Sequence, residues 1–239
     1  MDTEFDILDV AGLEVQVVRK DIRNLHLGVY PPDGRIRIAV PQSMSDSAVR
    51  TAVVTRLSWI KRHQADFAGQ ARESAREMVT GESHWFLGRR YRLTVIEASG
   101  RPEVRLLNKS RLVLKCEAGT TTERRRAILE DWYRQRLRES ADPLLRVWLE
   151  KLELRITDWQ IRKMKTKWGS YSAKSGRVTL NLELAKKPRQ CIDYIVLHEL
   201  AHLLARRHGP EFKALLDTQM PRWRFVRAEL GVLPIPDPI

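Results

Sequence analysis

Apolar and polar positions alternate with a period of two through the first forty residues. Val15-Gln16-Val17-Val18 and Arg35-Ile36-Arg37-Ile38-Ala39-Val40 read as strands, separated by the turn-forming Pro31-Pro32-Asp33-Gly34. From Ser45 the period lengthens. Val49, Val53, Leu57 and Ile60 fall on one helical face behind Ser45 as N-cap, which predicts a helix running to about Met78. Period two returns at Trp85-Phe86-Leu87 and in Tyr91 to Val95, a hairpin about Gly88-Arg89. Val104–Leu107 and Leu112–Lys115 make a second pair. Thr120-Thr121-Thr122-Glu123 has capping-box spacing and opens a helix that carries Ile128, Leu129, Trp132 and Leu137 inward. Asp142-Pro143 is expected to break that helix and start a second segment.

Two more strand-like stretches, about Leu154–Lys163 and Arg177–Leu184, bracket a turn-rich loop. An apolar helix begins near Arg189 and stops at Gly209-Pro210, and Pro210 suits the first position of a further helix through Phe212, Leu215 and Leu216. No internal repeat or low-complexity tract is visible. Segregated strands and helices indicate an α+β fold. The expected division is an N-terminal strand-and-helix region over residues 1–150, packed on a core over residues 151–239.

The apolar helix contains a conflict. It reads His198-Glu199-Leu200-Ala201-His202, between Ile192, Ile195, Val196 and Leu197 on one side and Leu203 and Leu204 on the other. Burying an ionised carboxylate with two imidazoles is costly unless something pairs with them, and a divalent metal does so. Positions i and i+4 of a helix bring Cβ atoms to roughly 5–6 Å, so His198 and His202 can reach one zinc ion at about 2.0–2.1 Å. Glu199 lies about 100° round the helix, placed to touch a water held there rather than to complete the chelate. A catalytic zinc takes three protein ligands and keeps one position open. His208, just past the helix where Gly209-Pro210 turns the chain, is the natural third ligand. Glu199 then serves as general base. A structural zinc would need a fourth ligand, and no cysteine or histidine stands next to the triad to supply it. His26, His63 and His84 lack any such setting and read as surface or packing residues.

Composition adds little to this site but widens the choice of partners. The 239 residues carry a net charge of +13, a field that favours anionic partners, nucleic acid among them. The arginines are scattered, Arg124-Arg125-Arg126 being the only tight run, and no zinc-finger pair, helix-turn-helix signature or ribonucleoprotein motif accompanies them. Two cysteines, Cys116 and Cys191, are too few for a disulfide scaffold and read as small packing residues. The acidic start Met-Asp-Thr-Glu-Phe-Asp lacks an apolar core, and no stretch reaches the length of a membrane span, so a cytoplasmic location without membrane contact is expected.

The chain resembles the YgjP-like metallopeptidase family, kin to the SprT-like zincins. Met164-Lys165-Thr166-Lys167-Trp168-Gly169-Ser170 is similar to the family's M-K-T-R-W-G-S signature, and Val178-Thr179-Leu180-Asn181 to its following strand. Tyr194 to Leu203 resembles its Y-V-V-x-H-E-L-A-H-L helix, His208 and Phe212 its H-x-x-x-F, and Met220-Pro221 a later M-P. The match is dense over about residues 156–231. Two positions depart: Lys167 stands where arginine is common, keeping the charge without the planar fork, and Tyr171 stands where cysteine follows Ser170. Peptide deformylases share the pentapeptide but take a cysteine ligand from a separate loop, and Tyr171 offers no such thiol. The resemblance implies a zincin-like catalytic core and zinc-dependent hydrolysis of peptide bonds, with one zinc on His198, His202 and His208 and Glu199 as base. It further implies that the strand about Val178–Leu182 borders the cleft as an edge for an extended protein or peptide substrate. Trp168, Val178, Leu180 and Asn181 are then substrate-side candidates, with Trp168 read more readily as core and Asn181 as either a ligand-orienting group or a turn closer. The alternative is a nucleic-acid-associated protease, or a basic DNA-binding protein, acting on DNA-bound proteins.

Overall fold

Alternating Val and Ile residues can bury only one face of a sheet, and the first element group does this. The computed structural model describes residues 5–30, 34–69, 77–164 and 167–232. In it β1 (Asp6–Val10), β2 (Leu13–Lys20), β3 (His26–Tyr30) and β4 (Arg35–Pro41) form a sheet of order β1-β2-β4-β3. The central pair β2 and β4 is parallel, and both outer pairs are antiparallel. α1 (Asp46–Val54) starts at Ser45, whose hydroxyl accepts the Ala48 N–H at 3.3 Å. α2 (Leu57–Gly69) follows. Val15, Val17, Ile36, Ile38, Val40, Val49, Val53 and Ile60 close one core, each burial worth roughly 1.5–3 kcal/mol.

The single helix expected from Ser45 to Met78 is therefore two, broken at Thr55-Arg56, where the Arg56 amide bonds the Val53 carbonyl only three residues back. Met78 is not helical, with φ of 57°. The expected turn residues Pro31-Pro32-Asp33, and residues 70–76 of the expected helix, lie outside the described residues.

The described residues divide into two compact units, 5–69 and 77–232. Residue 150 lies inside the long helix α3 (Thr122–Lys151). The second unit opens with β5 (Ser83–Phe86), β6 (Arg89–Glu97), β7 (Glu103–Leu106) and β8 (Arg111–Cys116) in the order β5-β6-β8-β7. Again the central pair is parallel and the outer pairs antiparallel. The two hairpin turns also correspond. Ala11-Gly12 has φ of 57° and 76°, and Leu87-Gly88 has 46° and 77°, the doubly positive pair of a tight two-residue hairpin turn.

The chain thus carries an internal repeat of topology, each copy a four-stranded sheet followed by a capped helix, where the sequence shows none. The copies match in register and turn conformation but fill their cores differently, with aliphatic side chains first and Phe86, Tyr91, Trp132 and Tyr133 second. Side-chain similarity is what a repeat search reads, and here it is absent.

α3 begins at Thr121, whose hydroxyl accepts the Arg124 N–H, one residue beyond the expected cap. It runs unbroken through Pro143, against expectation. A proline inside a helix costs about 3 kcal/mol. Leu129, Trp132, Tyr133, Leu137, Ala141, Leu145 and Trp148 on both sides of it enter one continuous core, which outweighs the lost bond. A third sheet has the order β10-β11-β9, from β9 (Asp158–Arg162), β10 (Gly169–Ser172) and β11 (Arg177–Asn181). A 3-10 turn (Leu182–Lys186) leads to α4 (Arg189–Leu204), α5 (Pro210–Gln219) and α6 (Trp223–Val232). β10 and α6 were not legible in the hydrophobic pattern. The fold is mixed α+β with small sheets.

Candidate metal centre

α4 is buried all round: Cys191, Ile192, Tyr194, Ile195, Val196, Leu197, Leu200 and Ala201 face neighbours on every side. α3 is one of them, and the Trp148 indole N–H donates to Asp193 Oδ1 at 2.6 Å. Into this apolar helix the sequence inserts His198, Glu199 and His202. The helix ends at Ala205, and residues 205–209 bring His208 back over it before Pro210 starts α5.

The structure brings the three histidines together. One ring nitrogen of each lies within 4.8 Å of the others, and His198 Nε2 is 3.0 Å from His208 Nε2. Nitrogens bound tetrahedrally at 2.0–2.1 Å lie about 3.3 Å apart, so the cluster fits a single zinc-sized ion. Phe212, buried on α5, packs its ring 4.8–4.9 Å from all three imidazoles. The Nδ1–H of His202 donates to the Ala205 carbonyl at 3.3 Å, which in the neutral ring puts the lone pair on Nε2. Tyr194, one turn before His198, places its hydroxyl 3.4 Å from His198 Nδ1. Burial, then the neighbouring His202, pushes the His198 imidazole down to about 3, and burial lowers His208 as well. Both shifts favour the neutral imidazole, the form a metal requires.

Glu199 is 5 % exposed. Burial raises its carboxyl to about 7, opposed by the charge of Lys167 and a hydrogen bond from the Tyr171 backbone. Its space exists because residue 169 is glycine: a Cβ there would sit 2.6 Å from Glu199 Oε1. A lone glycine in a strand marks such close approaches, the one sequence signal for this contact.

A cavity of about 920 Å³ opens over these groups, lined by β10, α4, α5 and α6. Lys167, Arg206, Lys213 and Arg227 border it, and Glu199 is its only carboxylate among the described residues. The charge of Arg227 reaches His198, His208 and Tyr194. Arg227 stands on α6, and neither it nor the helix was foreseen. Trp223 on the same helix stacks on Tyr194 at 6.2 Å between ring centroids.

The substrate-side candidates fare differently. Trp168 lines the cavity half-buried, with Lys187 Nζ 5.0 Å from its ring centre. Val178 and Leu180 are fully buried, and β11 is the middle strand, paired on both sides, so neither residue reaches the cleft. The strand that borders it is β10. Asn181 does not touch the histidines. Its amide donates to the Met164 and Lys167 carbonyls at 2.9 and 2.7 Å, and its oxygen accepts from Met164 and Glu183 amides. It closes the loop before β10. Lys165 and Thr166 of the signature lie outside the described residues. Cys116 and Cys191 are buried and unpaired, and burial pushes the Cys191 thiol up to about 12.

The model of the YgjP-like metallopeptidase domain matches residues 23–232, and the chain belongs to that family. It is a metallopeptidase, a hydrolase of peptide bonds in proteins or peptides, and the family implies a metal ion, usually zinc. No curated protein matches. Among solved structures the chain is similar to the metallopeptidase zymogen of Methanocaldococcus jannaschii jannalysin, at 23 % identity and a TM-score of 0.35 over 38 % of this chain and 87 % of that one. It is also similar to the zymogen of Pyrococcus abyssi abylysin, at 24 % identity and 0.35 over 40 % and 99 %. Nothing in these matches supports the nucleic-acid partner suggested by net charge. Among the described residues no helix is long and apolar enough to cross a membrane.

Proposed function

We propose that this chain is a zincin-like peptidase with one zinc ion on His198, His202 and His208 and with Glu199 as general base. The observation that carries the reading is the convergence of three imidazoles beside a buried carboxylate on the next helical position. Zinc, when bound, supplies Lewis acidity that polarises the scissile carbonyl and acidifies water at the open position. Glu199 takes the proton of the attacking water and delivers it to the leaving amine. Ala205 and Tyr194 hold the ring orientations of His202 and His198 through their Nδ1 atoms. Phe212 covers one side of the cluster.

An extended substrate pairs with the outer edge of β10, Gly169 to Ser172, which has no strand partner among the described residues. The cationic rim favours substrates with acidic side chains near the scissile bond.

The test is Glu199→Gln. One zinc per chain is retained while cleavage of a casein or peptide substrate falls about 10²- to 10⁴-fold. A variant as active as the wild type removes Glu199 from the chemistry. His208→Ala, measured in parallel, loses the metal itself.

A further inference from the structure

The two sheet repeats give an internal control for what the fold requires of each strand position. In the first, Ile7, Gln16 and Arg37 form one cross-strand row. The corresponding row of the second is Ser83, Arg92 and Arg111. One step along, Glu14 opposes Asp9 where Arg90 opposes Trp85. The first repeat therefore places one cation near one carboxylate on the central strands, and the second places three arginines there.

Like charges opposite one another across a ladder destabilise a sheet. Arg92 and Arg111 are direct partners on neighbouring strands about 4.8 Å apart, and Arg90 lies about 6.6 Å along the same face of β6. None of the three forms an ion pair with a carboxylate among the described residues; Glu97 on the same strand pairs with Arg125, and Glu82 bonds the Glu77 and Met78 amides and His84. The three arginines, with Ser83 and Ser110, line a cavity of about 310 Å³. The Ser110 hydroxyl is already committed to Asn108 Oδ1, so the arginines are the donors that remain.

We propose that this cavity on the outer face of β5, β6 and β8 is an anion site that takes a phosphate group. Planar guanidinium forks match phosphate oxygens two at a time, and three of them neutralise a dianion that no protein carboxylate here can replace. The volume stands at the lower end of the range for small-molecule sites, enough for a phosphate carrying a small organic group. This site is separate from the metal centre and does not depend on its assignment.

The test is calorimetric titration of the full-length chain with inorganic phosphate at constant ionic strength, with adenosine monophosphate and adenosine as further arms. One saturable phosphate per chain is expected, and tighter binding of the monophosphate than of free phosphate, with adenosine silent, identifies an ester as the ligand. Arg92→Gln is expected to weaken binding about tenfold or more. The substitution is one the fold tolerates, because Gln16 occupies the same place in the first repeat; Arg90→Gln supplies a second reading. The proposal is overturned by absence of saturable phosphate binding, by affinity unchanged in both variants, or by binding only to an oligonucleotide with strength growing with its length.

Discussion

The two repeats of one topology have opposite fates. The first closes a small core of its own under two short helices, and its hairpin turn faces open space, since a Cβ on Gly12 would meet nothing within 4 Å. The second leaves its core open to the rest of the unit. Its helix is drawn out to 30 residues, and the helix carrying the proposed metal ligands packs against it. Its hairpin turn is clamped, with Leu87 and Gly88 amides bonding the Ala185 and Lys186 carbonyls. A Cβ on Gly88 would lie 2.7 Å from Pro188, the residue that starts α4. Identical strand order thus builds a self-contained module in one place and a foundation for the metal site in the other. What distinguishes them is which residues the sheet and helix present outward.

Core truncation should separate the two regions most strongly. Leu137→Ala, in α3, is expected to cost about 2–5 kcal/mol and to lower peptidase activity with it, because its cluster includes α4. Val53→Ala, in the first repeat, is expected to destabilise its own module with zinc-dependent cleavage retained. Denaturant melts and assays of both variants check this; equal loss of activity would erase the distinction.

The turn glycines provide a finer contrast. Gly12→Ala adds only the strain of a positive φ, about 1 kcal/mol. Gly88→Ala adds a collision with Pro188 and should cost about 2–3 kcal/mol. Thermal unfolding of the pair ranks them, and a reversed order would show that the clamp does not matter.

At the cleft, Arg227→Gln is expected to lower kcat/KM for a peptide with acidic side chains about threefold and to leave a neutral peptide nearly unchanged. Equal effects on both peptides would count against a charge-based preference.

Smallest is a pH effect on the metal-free protein. Folded His198 binds its proton near pH 3 and unfolded histidine near 6.5, so stability falls as pH drops between those values. Folded Glu199 binds its proton near 7 and the unfolded group near 4.5, so it works in the opposite sense over that interval. Glu199→Gln removes the opposing contribution. Its melting temperature should decline more steeply than the wild type's between pH 7 and 4.5.

Most of the proposed metal site was readable in one dimension because helical periodicity dictates it. His198, Glu199 and His202 sit within a single turn and a fraction, and Gly209-Pro210 marks where His208 can fold back. β2, β4 and the four strands of the second repeat announced themselves where apolar residues alternate, whereas β1 and β3 were missed. β10 was missed too, because Gly-Ser-Tyr-Ser carries no such alternation. The assignment of β11 as the cleft edge failed for the same reason: the strand that covers it was invisible.

Local spacing alone therefore determined the α+β class, the proposed ligand triad and the neighbouring carboxylate. Only the tertiary structure decided that α3 passes through Pro143, that Gly169 makes room for Glu199, and that Arg227 looks into the cleft. It also revealed that two stretches with unlike side chains repeat one topology. The reason is physical: periodicity records what one element exposes to its own surroundings, whereas pairing partners, close approaches and converging charges depend on which distant segments come to lie beside it.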